Sequence, residues 1–205
     1  MQKNISLIYK AFRKVFLFIK TIIEHSLCAF LFYANNVQIE NFMSNGIPYL
    51  SIAIGGKCTI GNGLKMNNGL SGNPIGRPQR CVFFVDKGAV LKIGESLGIS
   101  SAALVAHQSI TIGNNVKIGG GVCIYDTDFH SLDSKIRKNE GLDIKSKQKS
   151  PVIINDNVFI GAHSTILKGV TIGENSIIGT CSVVTKNVPE NEIWAGNPAK
   201  FIRKI

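Results

Sequence analysis

The chain has 205 residues, 44% hydrophobic and 18% charged, with a formal net charge of +10. This composition excludes a disordered or collagen-like chain and leaves room for one well-buried core. Five scattered cysteines (Cys28, Cys58, Cys81, Cys123, Cys181) with no CxxC pair exclude a disulfide framework and a thiolate zinc site, and fit a reducing cytoplasm. A nucleic acid is not expected as the partner of the positive charge, because basic and aromatic residues do not interleave as on base-stacking surfaces.

Residues 1–50 read as an N-terminal helical, basic and apolar segment. Within "ISLIYKAFRKVFLFIKTIIEHSLCAFLFYA", apolar residues from Leu7, Ile8, Ala11 and Phe12 to Ile22 and Ile23 recur at helical spacing, with Lys10, Arg13, Lys14 and Lys20 mostly off that stripe. The charges interrupt every apolar stretch, so no run is expected to reach the ~20 residues of a spanning helix. No small-residue cleavage site follows a single apolar core. Two placements stand open: a helix packed on the protein or across a subunit contact, or an amphipathic helix in peripheral membrane contact through residues 1–34.

Residues 51–205 carry a repeat. Ile154, Ile160, Ile166, Ile172, Ile178 and Val184 stand six residues apart, and four positions after the first five come Val158, Ser164, Val170, Ser176 and Ser182. The period recurs at Ile54 and Ile60, at Ile93, Ile99 and Val105, and at Ile112, Ile118 and Ile124. Six is not a helical period. It fits a solenoid whose coil has three short strands, so that residue i stacks on residue i+18.

The ladder breaks twice. Residues 66–81, "MNNGLSGNPIGRPQRC", hold asparagines, glycines and prolines that cannot continue a ladder. Residues 126–150, "DTDFHSLDSKIRKNEGLDIKSKQKS", form a long insertion of the kind that usually carries function. His130 stands near its start, flanked by Asp126, Asp128 and Asp133. An imidazole suits proton transfer from a hydroxyl near neutral pH, and a carboxylate on its second nitrogen would steady it. Asp128, two residues away, would share a face with His130 if the segment stays extended. A solvated loop histidine is the alternative. No metal is expected, since His107, His130 and His163 lie 23 and 33 residues apart.

The six-residue ladder resembles the hexapeptide-repeat acyltransferases. "IYDTDFHSLD", the basic loop and the closing "VVTKNVPENEIWAGNPAKFIRKI" are similar to the sugar O-acetyltransferase branch, which includes maltose, galactoside, capsule and lipopolysaccharide acetyltransferases. "DTDF" departs from the maltose and galactoside enzymes and resembles polysaccharide-modifying relatives. The resemblance spans Ile54 to Ile205. It implies an all-β solenoid, a left-handed parallel β-helix with an N-terminal helical segment and an extruded loop, and a cytoplasmic homotrimer using acetyl-CoA.

The same resemblance makes His130 the catalytic base; Asp126, Asp128 and Asp133 are all candidates to orient its ring, with Asp128 favoured by its extended spacing. It places the coenzyme on Ala162, Thr180, Thr185, Lys186, Lys200 and Arg203. Ser101, Asp126 and Asp133 are expected on the acceptor side, and Asn73 and Arg77 either touch a sugar or belong to an ordinary loop. The implied activity is O-acetylation of a sugar hydroxyl in surface-polysaccharide biosynthesis. N-acetylation of a nucleotide-linked amino sugar and a non-catalytic β-helix scaffold are the alternatives.

Overall fold

In the computed structural model the chain is described over residues 2–73 and 75–205; Met1 and Pro74, which belong to the expected N-terminal segment and first loop, lie outside the described residues. A helix, α1, spans Gln2–Ala34. Short strands follow from Gln38 onward, interrupted by three further helices: α2 (Gly69–Gly72), α3 (Ser134–Arg137) and α4 (Glu140–Ser146).

Every third strand joins the same sheet. One sheet of six strands starts at Gln38–Ile39, a second of eight at Phe42–Asn45, and a third of six at Tyr49–Ile52. The pairing is parallel throughout the coil; Ile154 lies beside Ile172, and Ile160 beside Ile178. This is the 18-residue register that a six-residue period demands of a three-sided coil. Backbone groups of each coil are satisfied by the coils above and below, so stacking supplies what one short strand cannot.

The interior admits a column of apolar side chains from each sheet. Ile112, Ile118, Ile124, Ile154, Ile160 and Ile166 are each 1–3% exposed or fully buried. The small residues of the repeat (Val158, Ser164, Val170, Ser176 and Ser182) are buried too, filling the space beside the corners. Burying one such aliphatic side chain contributes about 1.5–3 kcal/mol.

Three sequence expectations are corrected. Ile54 is 95% exposed and not part of the core, because the chain is already turning into a corner after the strand Tyr49–Ile52. Val105 faces outward; Leu104 is the buried residue, aligned with Phe83 on one side and Ile124 on the other. The coil starts at Gln38, inside the segment expected to precede it. It continues past Thr185: Val188 bridges to Ile172, and Glu192–Gly196 pairs with Ile177–Ile178 before turning back in an antiparallel hairpin with Ala199–Lys204.

The two breaks leave from different corners. The first loop, 68–81, lies between the second and third sheets; the second, 126–150, lies between the third and first. Replacing Leu104 by Ala is expected to cost about 2–5 kcal/mol through the lost transfer energy and the cavity left behind. The partly exposed Thr111→Ala is expected within about 0.5 kcal/mol of the parent, and urea denaturation compares the two.

Candidate active site

Asp126 clamps the root of the long loop. Its carboxylate is fully buried and accepts the backbone N–H groups of His107 and Gln108, both at 2.7 Å, from the coil before. Thr127 pairs antiparallel with Lys149, and the N–H of Ser150 donates to the carbonyl of Asp126 at 2.9 Å. The loop is thus a narrow neck carrying two short helices. Asp133 caps α3 by accepting from the Lys135 N–H at 2.7 Å, and Asn139 caps α4 through the Leu142 N–H at 3.1 Å.

His130 projects from this neck with 70% of its side chain exposed. Its Nδ1 lies 2.7 Å from Oδ2 of Asp143 on α4, and the other oxygen of Asp143 accepts the Ser131 N–H at 2.6 Å. One carboxylate therefore fixes both the ring and the backbone beside it. With the Nδ1 proton donated to Asp143, Nε2 carries the lone pair and has no hydrogen-bond partner among the described residues. The bond from His130, then that from Ser131, holds the Asp143 carboxyl below its usual value of 3.8.

Asp128, the expected partner of the ring, does not hold it. Phe129 adopts φ +65°, which turns the chain between Asp128 and His130, so the two side chains do not share an extended face. Asp128 Oδ1 instead pairs with Lys168 Nζ at 2.9 Å, on the next coil, and its Oδ2 is buried without a partner among the described residues. Asp143 was not singled out in the sequence. It lies 13 residues from His130, and only the fold-back of α4 brings it close.

The expected acceptor-side residues have structural partners. Asp126 is the loop clamp and Asp133 a helix cap. Ser101 is 2% exposed, at φ +46°, and its Oγ accepts from Nδ2 of the equally buried Asn73 at 2.9 Å. The first loop closes over this corner: Arg77 contacts Nε2 of His163, and Ile75 covers Gly120. Gly121 needs its missing side chain here, because it sits at φ +74° and a Cβ would meet Nδ1 of His163 at 2.7 Å.

The expected coenzyme residues fall into separate groups. Ala162 and Thr180 occupy successive turns of the corner between the second and third sheets, so close to the neighbouring strand that a Cβ on Gly161 would meet the Thr180 nitrogen at 2.6 Å. Thr185, Lys186 and Lys200 line one groove of about 320 Å³ with Trp194, Pro198 and Phe201. Arg203 stands apart from that groove, its guanidinium bonded to the Lys204 carbonyl at 2.9 Å.

A second histidine pair lies one coil below the loop. His107 Nδ1 is 2.8 Å from Asp86 Oδ2, Lys147 Nζ is 3.2 Å from the same nitrogen, and the ring packs against Phe84 and Phe129. Burial pushes the Asp86 carboxyl up, but the His107 bond, the Lys87 N–H and the charge of Lys147 outweigh it and leave its pKa lowered. The pair ties Lys147, at the end of α4, to the coil. No group of three His, Cys, Asp or Glu side chains converges as a metal site would require among the described residues.

Residues 151–186 match the family model for the bacterial transferase hexapeptide (six repeats). Those residues carry the hexapeptide repeat, and the chain is similar to acetyltransferases. It is 41% identical over 102 residues to a galactoside O-acetyltransferase of Escherichia coli K12, covering 50% of this chain and 47% of that protein. A solved maltose O-acetyltransferase of Clostridium difficile 630 is similar at 32% identity and TM-score 0.53, over 71% of this chain and 66% of the other. A hexapeptide-repeat acetyltransferase of Vibrio cholerae, solved in complex with acetyl coenzyme A, is similar at 25% identity and TM-score 0.53, over 81% and 70%. The hexapeptide-repeat chain spans about half the length of the curated relatives it matches.

Because the folded state depresses the Asp143 pKa, its carboxylate contributes stability above the ordinary value of 3.8 and loses that contribution as pH falls through the folded value. Carbon-13 NMR of the Asp143 carboxyl is expected to show a midpoint below 3.8, moving upward in His130→Ala. An unchanged midpoint in that variant would separate the two groups.

Proposed function

We propose that this protein is an acetyl-CoA-dependent O-acetyltransferase acting on a sugar hydroxyl in surface-polysaccharide biosynthesis, with His130 as general base. The observation that carries the reading is the His130–Asp143 pair: a ring held from Nδ1 at 2.7 Å by a nearly buried carboxylate, with its other nitrogen exposed. The hydroxyl gives its proton to Nε2, and its oxygen attacks the thioester carbonyl. The carbon–sulfur bond breaks, and the departing thiolate takes the proton from the imidazolium. Asp143 steadies the imidazolium and takes the role that Asp128 was expected to fill. The names of the galactoside and maltose relatives support a sugar acceptor, and the acetyl coenzyme A bound in the Vibrio cholerae relative supports the donor. The same likeness supports a left-handed winding of the coil.

Coenzyme binding is assigned to Thr185, Lys186 and Lys200 in the C-terminal groove, with Ala162 and Thr180 along the neighbouring corner. Small residues allow a thin ligand close to the backbone, and the lysines suit its phosphates. Within one chain, His130 leaves the corner between the third and first sheets, whereas Ala162 and Thr180 lie on the corner between the second and third. The third sheet separates His130 from Ala162 and Thr180, while Thr185 and Lys186 leave that sheet on the side towards the first; none of its strands holds a charged residue, from Tyr49–Ile52 to Val183–Val184. Packing of this face in a homotrimer would bring the two corners of neighbouring copies together. Light scattering is expected to give about three times 22.2 kDa; a monomer at micromolar concentration would contradict a shared site.

His130→Ala is expected to lower turnover by ~10²–10⁴-fold while leaving acetyl-CoA binding and assembly unchanged. The assay is thiol release across a panel of sugar and amino-sugar acceptors. Turnover with amino sugars alone would replace O-acetylation by N-acetylation, and near-parental turnover of the variant would remove His130 from catalysis. Lys186→Glu is expected to weaken acetyl-CoA binding by calorimetry with the fold intact.

A further inference from the structure

α1 is the largest element of the protein that the coil does not explain. It runs for 33 residues, about 50 Å at 1.5 Å per residue, and docks only through its last turns. There Cys28 and Phe32 are buried, Phe32 meets Phe42 edge-on at 5.1 Å, and His25 stacks on Phe42 at 4.5 Å. Glu24 accepts the Gly46 N–H at 3.0 Å. The preceding turns stand clear of the coil: Phe12 is 73% exposed and Ile19 52%. This departs from a helix packed along the protein.

The arrangement of the free turns is ordered. Cys28 and Phe32 follow Lys10 and Lys14 by 18 residues each, five whole turns of a 3.6-residue helix. The basic side chains therefore continue the side of α1 that docks on the coil. Ile8, Phe12, Val15, Ile19, Ile22 and Phe30 fall together on the opposite side and are all exposed. Lys20 pairs with Glu24 at 3.0 Å and adds little net charge between them.

By length and composition the stretch Asn4–Ala34 could cross a membrane, against the expectation that its charges forbid it. Its docking argues otherwise. A ~20-residue span ending at Ala34 would draw Glu24, His25 and the attached coil into hydrocarbon. One ending before Glu24 would put Lys10, Arg13 and Lys14 there, at about 2.5–3.5 kcal/mol for each charge near the centre. Lying in the plane avoids both: the broad apolar side faces the lipid while Lys10 and Lys14 point away from it, although the exposed Leu7 and Leu17 share their side.

We propose that α1 lies in the plane of an anionic phospholipid surface, its apolar side among the acyl chains and the coil held above the headgroups. The positive side and the net charge of +10 complement such a surface, and Lys/Arg near it contribute about 1 kcal/mol each. A groove of about 560 Å³ between α1 and the strands Phe42–Asn45 and Leu64–Asn67 opens on the flank where the two sides meet. Ile22 and Phe42 line it beside His25, Asn67 and Lys65, an apolar floor with a polar, cationic rim at headgroup depth. The inference goes beyond the catalytic reading and does not rest on it: vesicle partition needs no turnover, so either fails without the other.

The test is flotation of the full chain with phosphatidylcholine vesicles, with and without 30% phosphatidylglycerol. The expected result is flotation with the anionic vesicles that weakens with salt and is reversed by alkaline carbonate. Phe12→Glu/Ile19→Glu, at exposed positions that leave the coil's thermal melt unchanged, should lower partition at least tenfold. Lys10→Glu/Lys14→Glu should abolish the preference for anionic lipid. Carbonate-resistant association would overturn the in-plane placement in favour of a crossing helix. Absence of flotation, or a smaller oligomer in Phe12→Glu/Ile19→Glu without loss of flotation, would overturn the proposal in favour of a contact between copies.

Discussion

Hydrogen bonding between successive coils is the constraint on which the rest of this structure depends. A two-residue strand such as Thr165–Ile166 has no stability alone; it exists because Cys123–Ile124 lies below it and Val183–Val184 above. That stacking compels a common length for each coil, and the narrow interior compels one kind of side chain at each inward position. Anything that does not fit, whether a functional loop or a helix, must leave at a corner.

The loop of residues 126–150 meets that demand with an acid. Asp126 replaces the backbone bonds that the interrupted coil cannot make, capping two N–H groups of the coil before. The loop then closes on itself at Thr127 and Lys149, so the ladder resumes at Val152 in register with Ile110. Of the three acids around His130, one thus roots the loop, one caps a helix and one reaches the next coil. The carboxylate that touches the imidazole comes from α4, where its second oxygen is used on Ser131. A ring held at Nδ1, with the backbone beside it fixed by the same carboxylate, keeps its orientation when it takes a proton, which suits a base.

α1 obeys a different rule. Its last turns meet the coil through Cys28 and Phe32, and its earlier turns are exposed. A long exposed apolar side is costly in water, and the side bearing Lys10 and Lys14 continues the one that docks. The coil therefore sets the orientation of the helix, and on the proposed lipid surface the helix would set which end of the coil lies nearest it.

Most of the solenoid was legible in the sequence, because a six-residue period is a covalent property and one inward aliphatic per strand follows from it. The pairing of Ile154 with Ile172 needed only the count of residues per coil. The period could not place Ile54 or Val105, where a corner shifts which neighbour points inward, nor the continuation of the coil past Thr185, where Val188 and Trp194 replace the regular aliphatics. The sequence also determined that His130 stands at a break with acids around it. Only the tertiary structure decided that Asp143 holds the ring, because a single left-handed residue, Phe129, turns Asp128 away and a helix cap at Asn139 aims α4 back across the loop. Proximity along the chain is set by covalent geometry; proximity at a site is set by where each turn sends the backbone, and that is decided by packing and capping over the whole loop.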